Sequence, residues 1–221
     1  MVNILRKLGV NLDFPKEQTC CGQPAFNSGY HREAKDMARR YMKIFKGNNY
    51  IIVPSGSCGA MIRVFYNQLF QDEPDVLSEL EELSSRVFEF SEFLVQILGI
   101  TDVDGKLNGD VTYHDCCHLR RELGIISQPR DLIKSVKGIN FVELNQSDVC
   151  CGFGGTFAIK YPDISGAILD QKIRNIKNSG ADILVANDTS CLMHMRGSFS
   201  RLGLDIEAMH IAEFLDKAME G

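Results

Sequence analysis

The chain has little of what would tie it to nucleic acid, a membrane or secretion. It carries no basic run, and its formal net charge is −5 over 221 residues, which argues against nucleic acid or an anionic membrane as a main partner. No apolar stretch approaches the roughly 20 residues needed to span a bilayer. The N-terminus, Met-Val-Asn-Ile-Leu-Arg-Lys-Leu-Gly-Val, lacks the apolar core and cleavage site of a secretory signal. These absences point to a cytoplasmic protein, in which eight cysteines are reduced thiols or metal ligands more often than disulfides. Nucleotide and hydrolase signatures are missing too. In Gly152-Phe153-Gly154-Gly155-Thr156-Phe157 the third glycine of Gly-x-Gly-x-x-Gly is replaced by Phe157, and no Lys-Ser/Thr pair makes a P-loop. A Cys–His nucleophile built from Cys117 with His118 or His194 lacks a third member.

What the chain does have is Cys-Cys-Gly twice, at Cys20-Cys21-Gly22 and Cys150-Cys151-Gly152. Each is followed by a helix-sized segment, an apolar strand and a Ser-Cys, ending at Cys58 and at Cys191. The repetition extends both ways. Upstream, residues 8–14 match residues 137–143; downstream, Phe90-Ser91-Glu92-Phe93-Leu94 resembles Ile211-Ala212-Glu213-Phe214-Leu215 with His210 before it. The second copy also opens with Val111-Thr112-Tyr113-His114-Asp115-Cys116-Cys117-His118, a strand running into a cysteine loop. The first copy has no such opening, so it reads as a repeat lacking its N-terminal strand and one ligand. The halves divide near residues 101–110, giving a first repeat at 1–105 and a second at 106–221.

Periodicity makes the fold class α/β. Short β-branched apolar runs at residues 50–54, 111–113, 140–144, 183–186 and 206–209 have the length of buried parallel strands. Amphipathic stretches at 32–45 and 164–176 lie between them, the second ending before Gly180. The acidic stretch from Gln71 to Glu82 reads as a solvated helix start. Alternating strands and helices predict two tandem, pseudo-symmetric, Rossmann-like α/β/α halves with parallel sheets. In such sheets functional residues gather beyond the strands' C-terminal ends, where Cys58, Cys117 and Cys191 should converge.

The separations from Cys117 to Cys150-Cys151 and on to Cys191 are long, unlike the short paired loops of a zinc finger. They suit a site assembled from three loops of a sheet, and thiolates select iron–sulfur clusters, zinc or copper(I). Gly22, Gly152, Gly154 and Gly155 are expected to let the backbone pass close to that group. His114 and His118 flank Cys116-Cys117; donation to a sulfur and simple backbone capping both remain open for them. His210 reads as a satisfied core residue, and Met193 and Met195 as packing on the helix after Cys191.

These residues resemble the cysteine-rich "CCG" domain family, whose signature runs Cys…Cys-Cys-Gly…Cys-x-x-Cys, usually twice. Its members include the cysteine-rich subunit of heterodisulfide reductase and the glycolate oxidase iron–sulfur subunit. Cys-Cys-Gly-Gln-Pro-Ala-Phe-Asn-Ser-Gly-Tyr at 20–30 and Cys-Cys-Gly-Phe-Gly-Gly-Thr-Phe at 150–157 resemble its lactate-utilization subgroup, which has two such domains and no ferredoxin domain. The resemblance implies Cys117, Cys150, Cys151 and Cys191 as ligands in the second repeat, with Cys116 a spare thiol. The last family cysteine is His194 here, a departure from the five-cysteine cluster of heterodisulfide reductase. Four thiolates suffice for a [4Fe–4S] cluster, and three with His194 would make a zinc site. The first repeat offers Cys20, Cys21 and Cys58, with Met61 at the last position, and is expected to be empty or damaged.

The implied function is an iron–sulfur electron-transfer subunit of an oxidoreductase complex that oxidises a small 2-hydroxy acid, L-lactate to pyruvate first among them. The implied partners are the other subunits of a lactate-utilization system. A thiol/disulfide redox subunit like that of heterodisulfide reductase, and a zinc-stapled scaffold without redox work, are the alternatives.

Overall fold

The computed structural model describes residues 1–47 and 49–221. Its second half is built on four parallel strands: β3 (Lys106–His114), β4 (Lys137–Phe141), β5 (Ile183–Ala186) and β6 (Glu207–His210), in the order β4-β3-β5-β6. Register pairs Val111 with Ile183 and Ile183 with Glu207. In β5 alternate residues serve opposite faces: Ile183 and Val185 join one apolar cluster, Leu184 and Ala186 another. That is the period-2 alternation of a strand covered on both sides. Helices Ser127–Ser135 and Ile211–Ala218 cover the first face through Leu132, Ile133, Phe214 and Leu215. Helices Pro162–Ser179 and Thr189–Leu202 cover the second through Leu169, Ile173, Ile176, Leu192 and Phe199. The result is the α/β/α sandwich expected from sequence, with Gly180 in the left-handed conformation just past its helix.

The first half carries β1 (Ile51–Val53) and β2 (Val87–Glu89), paired in parallel. Periodicity does not reveal β2, because three residues between a helix and a capping turn are too few to show alternation. By the repeat, β1 and β2 correspond to β5 and β6. Residues 8–12, the counterpart of β4, are not a strand. In the second half β4 hydrogen-bonds only to β3, and among the described residues the first half has no strand in β3's place. A would-be edge strand without its neighbour has no ladder to join. The linker expected at residues 101–110 also differs: β3 begins inside it at Lys106, with a register irregularity before Gly109.

The halves share a core. Ile4, Leu5, Phe90, Phe93 and Leu94 pack in one cluster with Tyr113, Val185, Phe214 and Leu215. Each such side chain contributes about 1.5–3 kcal/mol when fully buried, so separating the halves would expose apolar surface on both. Polar contacts repeat the pseudo-symmetry. Glu89 caps the turn from Phe90 and His210 caps helix Ile211–Ala218, each in a reciprocal capping box with Glu92 or Glu213. Each cap then reaches the strand-end loop of the opposite half: Glu89 accepts from Asn187 Nδ2 at 3.0 Å, and His210 Nε2 lies 2.7 Å from the Pro54 carbonyl. His210 is the satisfied residue its position implied.

Glu89 supplies a test of this clasp. Burial drives its pKa up to about 7 against the pull of donors on Ser91 and Asn187. A carboxyl whose folded-state pKa is raised ionises first in the unfolded chain, so stability falls as pH rises from about 4.3 to the folded value. We expect the wild type to lose on the order of 3 kcal/mol across that window relative to Glu89→Gln, which cannot ionise. Urea midpoints of both proteins at pH 5 and pH 8 read the difference; parallel pH profiles would refute it.

Candidate metal centre

β3 ends at His114, and Asp115-Cys116 lead into helix Cys117–Arg121. β5 ends at Ala186, and Asp188 caps helix Thr189–Leu202, placing Cys191 in its first turn. Cys150 and Cys151 lie on the loop between β4 and helix Thr156–Lys160. Three loops beyond strand C-termini therefore bring the thiols together, as expected for a parallel sheet. They form a continuous row: Cys117 beside Cys150, Cys150 beside Cys151, Cys151 beside Cys191, and Cys191 beside Cys116. Cys116 is thus no bystander; it is buried at the end of the row.

The row holds its negative charge unevenly. Hydrogen bonding from Cys117, then Cys151 and the Gly152 N–H, holds Cys150 far below the ordinary thiol range. The same contacts push Cys117 and Cys151 up, with burial and neighbouring thiolates adding to the effect. Cys191 is raised by its contact with Cys116. One thiolate is comfortable here, whereas several together need a cation between them.

Two networks hold the loops. The Asp115 carboxylate, completely buried, accepts from Arg130 Nη1 and Nη2 at 2.8 Å, Arg120 Nη1 at 3.1 Å and Ser147 Oγ at 2.8 Å. Burial alone would raise its pKa; Arg130 and Ser147 outweigh it and hold the carboxyl below its usual range. Lys172, wholly buried, donates to the Gln146 and Ser147 carbonyls at 2.7 and 3.1 Å. The strand-β3 loop and the loop leading to Cys150 are therefore tied to one frame. Sequence reasoning passes over Asp115 and Lys172, and the only available signal is a lysine interrupting the apolar face of its helix.

The thiols line a cavity of about 390 Å³ between the halves, with Cys58 on its opposite wall. There the strand-end loops meet at equivalent positions: Asp188 Oδ2 accepts from Ser55 Oγ at 2.8 Å and from the Ser57 N–H at 3.2 Å. Cys20, Cys21 and Cys58 form a smaller row of their own. Cys21 draws the Cys20 pKa down to about 6 and lowers that of Cys58, while its own is raised. Only Cys58 of the three faces the shared cavity.

The glycines divide by role. Gly154 and Gly155 line the cavity. Gly152 and Gly22 share φ 89°, but the space a Cβ would need at Gly152 holds the Ser165 carbonyl oxygen, at 2.6 Å. Its freedom serves the approach of helix Pro162–Ser179. His194 Nε2 lies 3.4 Å from Ser165 Oγ and its ring rests against Phe153, outside the cavity lining. His118 lines the cavity, its Nδ1 3.3 Å from a Glu122 carboxylate oxygen. Met195 is buried beside Cys191, and Met193 is exposed.

The donor set fits a soft metal centre: six thiols line one cavity, and the buried imidazole of His114 lies beside Cys151 and Cys191. Among the described residues no helix is long and apolar enough to cross a membrane. The cysteine-rich (CCG) domain matches residues 1–63 and 111–196. The chain is 45% identical to lactate utilization protein A of Macrococcus caseolyticus over 219 residues, covering 99% of this chain and 89% of that one. It is 44% identical to the protein of the same name from Oceanobacillus iheyensis over 220 residues, covering 100% and 90%. The counterpart from Geobacillus kaustophilus is 43% identical over 215 residues, covering 97% and 90%. With Cys-Cys-Gly present in both halves and the domain matched over more than half of its length, the chain belongs to the cysteine-rich CCG domain family.

Proposed function

We propose that this chain is the iron–sulfur electron-transfer subunit of an oxidoreductase complex that oxidises a small 2-hydroxy acid, with L-lactate to pyruvate the leading choice. The observation that carries the metal centre is the row of Cys117, Cys150, Cys151 and Cys191 along one buried cavity wall. The substrate rests on the relatives' name, lactate utilization protein A. The partners are the other subunits of such a system, met in the cytoplasm.

In this reading the four thiolates hold a [4Fe–4S] cluster, which when bound supplies one-electron storage and transfer. Asp115 and Lys172 hold the ligand loops in register. The opposite repeat forms one side of the cavity through Gln23, Pro24, Ser55 and Cys58, and solvent access is one of the levers on a cluster's potential. The second repeat, residues 106–221, carries the principal site; the three thiols of the first, residues 1–105, form a subsidiary one.

Protein purified without oxygen is expected to contain about four irons and four labile sulfides per occupied site, with visible absorption, and to lose the principal site's share in Cys150→Ala/Cys151→Ala. A zinc centre without redox work is the second reading, favoured by the mixed group His114, Cys151 and Cys191. One zinc with no labile sulfide would establish it and end the electron-transfer reading.

A further inference from the structure

The thiols do not account for all the donors at the principal site. His114, the last residue of β3, is completely buried, and neither ring nitrogen has a hydrogen-bond partner among the described residues. A buried polar group left without a partner gives up its hydration for nothing, so an imidazole with two such atoms is an anomaly. It is not isolated from chemistry. One of its ring nitrogens and the sulfurs of Cys151 and Cys191 all lie within 4.8 Å of one another. In either tautomer a neutral imidazole presents one bare lone pair.

We infer that His114 is a nitrogen ligand of the metal centre, bound beside Cys151 and Cys191: in a [4Fe–4S] cluster, where each iron takes one protein ligand, it would replace one of the four thiolates, and on a single ion it would join both sulfurs. On a single ion, metal–nitrogen bonds of about 2.0–2.1 Å and metal–sulfur bonds of about 2.3 Å place tetrahedral neighbours roughly 3.5–3.8 Å apart, so a group whose atoms already lie within 4.8 Å of one another needs to contract by about an ångström at most. Its position is set by the fold. β3 is one of the sheet's two inner strands, paired on both sides, and His114 stands opposite Ala186 in the register with β5. Ala186 ends the strand that feeds the Cys191 loop, so His114 and Cys191 are carried by adjacent, hydrogen-bonded strands. His194, the nitrogen suggested by spacing, sits instead against Ser165 and Phe153.

The inference rests on the metal centre of the preceding section and is tested apart from it. The full chain would be purified anaerobically, reduced, and read by pulsed electron paramagnetic resonance with natural-abundance and ¹⁵N-histidine protein. A nitrogen coupling of directly bound strength is expected, changing to the ¹⁵N pattern on labelling and lost in His114→Ala. If that variant does not fold, the coupling must survive in His118→Ala/His194→Ala. Intact iron and sulfide with no such coupling, or with a coupling that persists in His114→Ala, overturns the inference and leaves the electron-transfer reading standing. If the metal is zinc, X-ray absorption at the zinc edge must show a nitrogen scatterer that His114→Ala removes; this outcome upholds the ligand while the iron reading falls. A chain that takes up neither metal overturns both.

Discussion

Gly152→Ala should destabilise the metal-free protein by about 3–5 kcal/mol, whereas Gly22→Ala should cost only about 1–2 kcal/mol. The two glycines are equivalent in the repeat and share φ 89°, so the conformational penalty of an L-residue is the same at both. They differ in what a Cβ would meet. At Gly22 the nearest atoms are the Ala34 carbonyl oxygen and Met37 Cβ, both at 3.4 Å, an ordinary contact. At Gly152 they are the Ser165 carbonyl oxygen at 2.6 Å and Ile168 Cβ at 3.2 Å. A backbone oxygen cannot rotate away, so either helix Pro162–Ser179 or the Cys150-Cys151 loop must shift. Ser165 Oγ also donates to the Gly152 carbonyl at 2.8 Å, a bond that shift would strain. Urea denaturation of both variants isolates the overlap as their difference. Equal losses would show that the helix yields freely and that Gly152 serves only its backbone angle. Metal content should follow the same order, because displacing this loop moves Cys150 and Cys151.

Asp115→Ala is expected to cost about 3–5 kcal/mol, the range for breaking a buried ion pair by removing one partner. The carboxylate is fully buried and the Arg130 side chain is 12% exposed, so little water can replace what is lost. Arg130 keeps Glu143 at 2.7 Å, which places the result toward the lower end. Asp115→Asn preserves the shape and the bond from Ser147 but not the charge, and should recover part of the loss. The pH dependence has a definite sign. A carboxyl held below its ordinary value contributes stability that is fully present above about pH 4, the unfolded value, and is lost as pH falls through the folded one. Urea unfolding from pH 6 downward should therefore show a steeper decline in the wild type than in Asp115→Asn. Matching declines would mean that Arg130 and Arg120 are satisfied without the carboxylate. The loop consequence is separately visible: Asp115 joins the strand-β3 loop to Ser147, so metal uptake should weaken in the alanine variant even where it remains folded.

Much of this protein is written in local pattern. The doubled Cys-Cys-Gly, the Ser-Cys after each apolar run and the 3.6-residue periodicity of residues 164–176 depend on neighbours in sequence. They sufficed for an α/β fold with parallel sheets, and for the convergence of Cys58, Cys117 and Cys191 beyond the strands' C-terminal ends. The apolar residues of β5 announced a strand because both its faces are covered. β2 did not, because it is three residues long and draws its identity from pairing with β1.

Contacts between chain segments far apart in sequence lay beyond such patterns. Nothing local indicates that Ser55 meets Asp188 or that Glu89 reaches Asn187. Nor does spacing reveal which histidine is stranded. His194 sits where the family's last cysteine would be, yet His114 is the ring that packing leaves buried, unpartnered among the described residues and beside Cys151 and Cys191. Cysteine pattern and helical or strand period are properties of the chain, set by covalent geometry. Burial, partner and charge state are set only when the sheet closes and one loop is laid against another, and for Asp115, Lys172, Glu89 and His114 that is where their chemistry was decided.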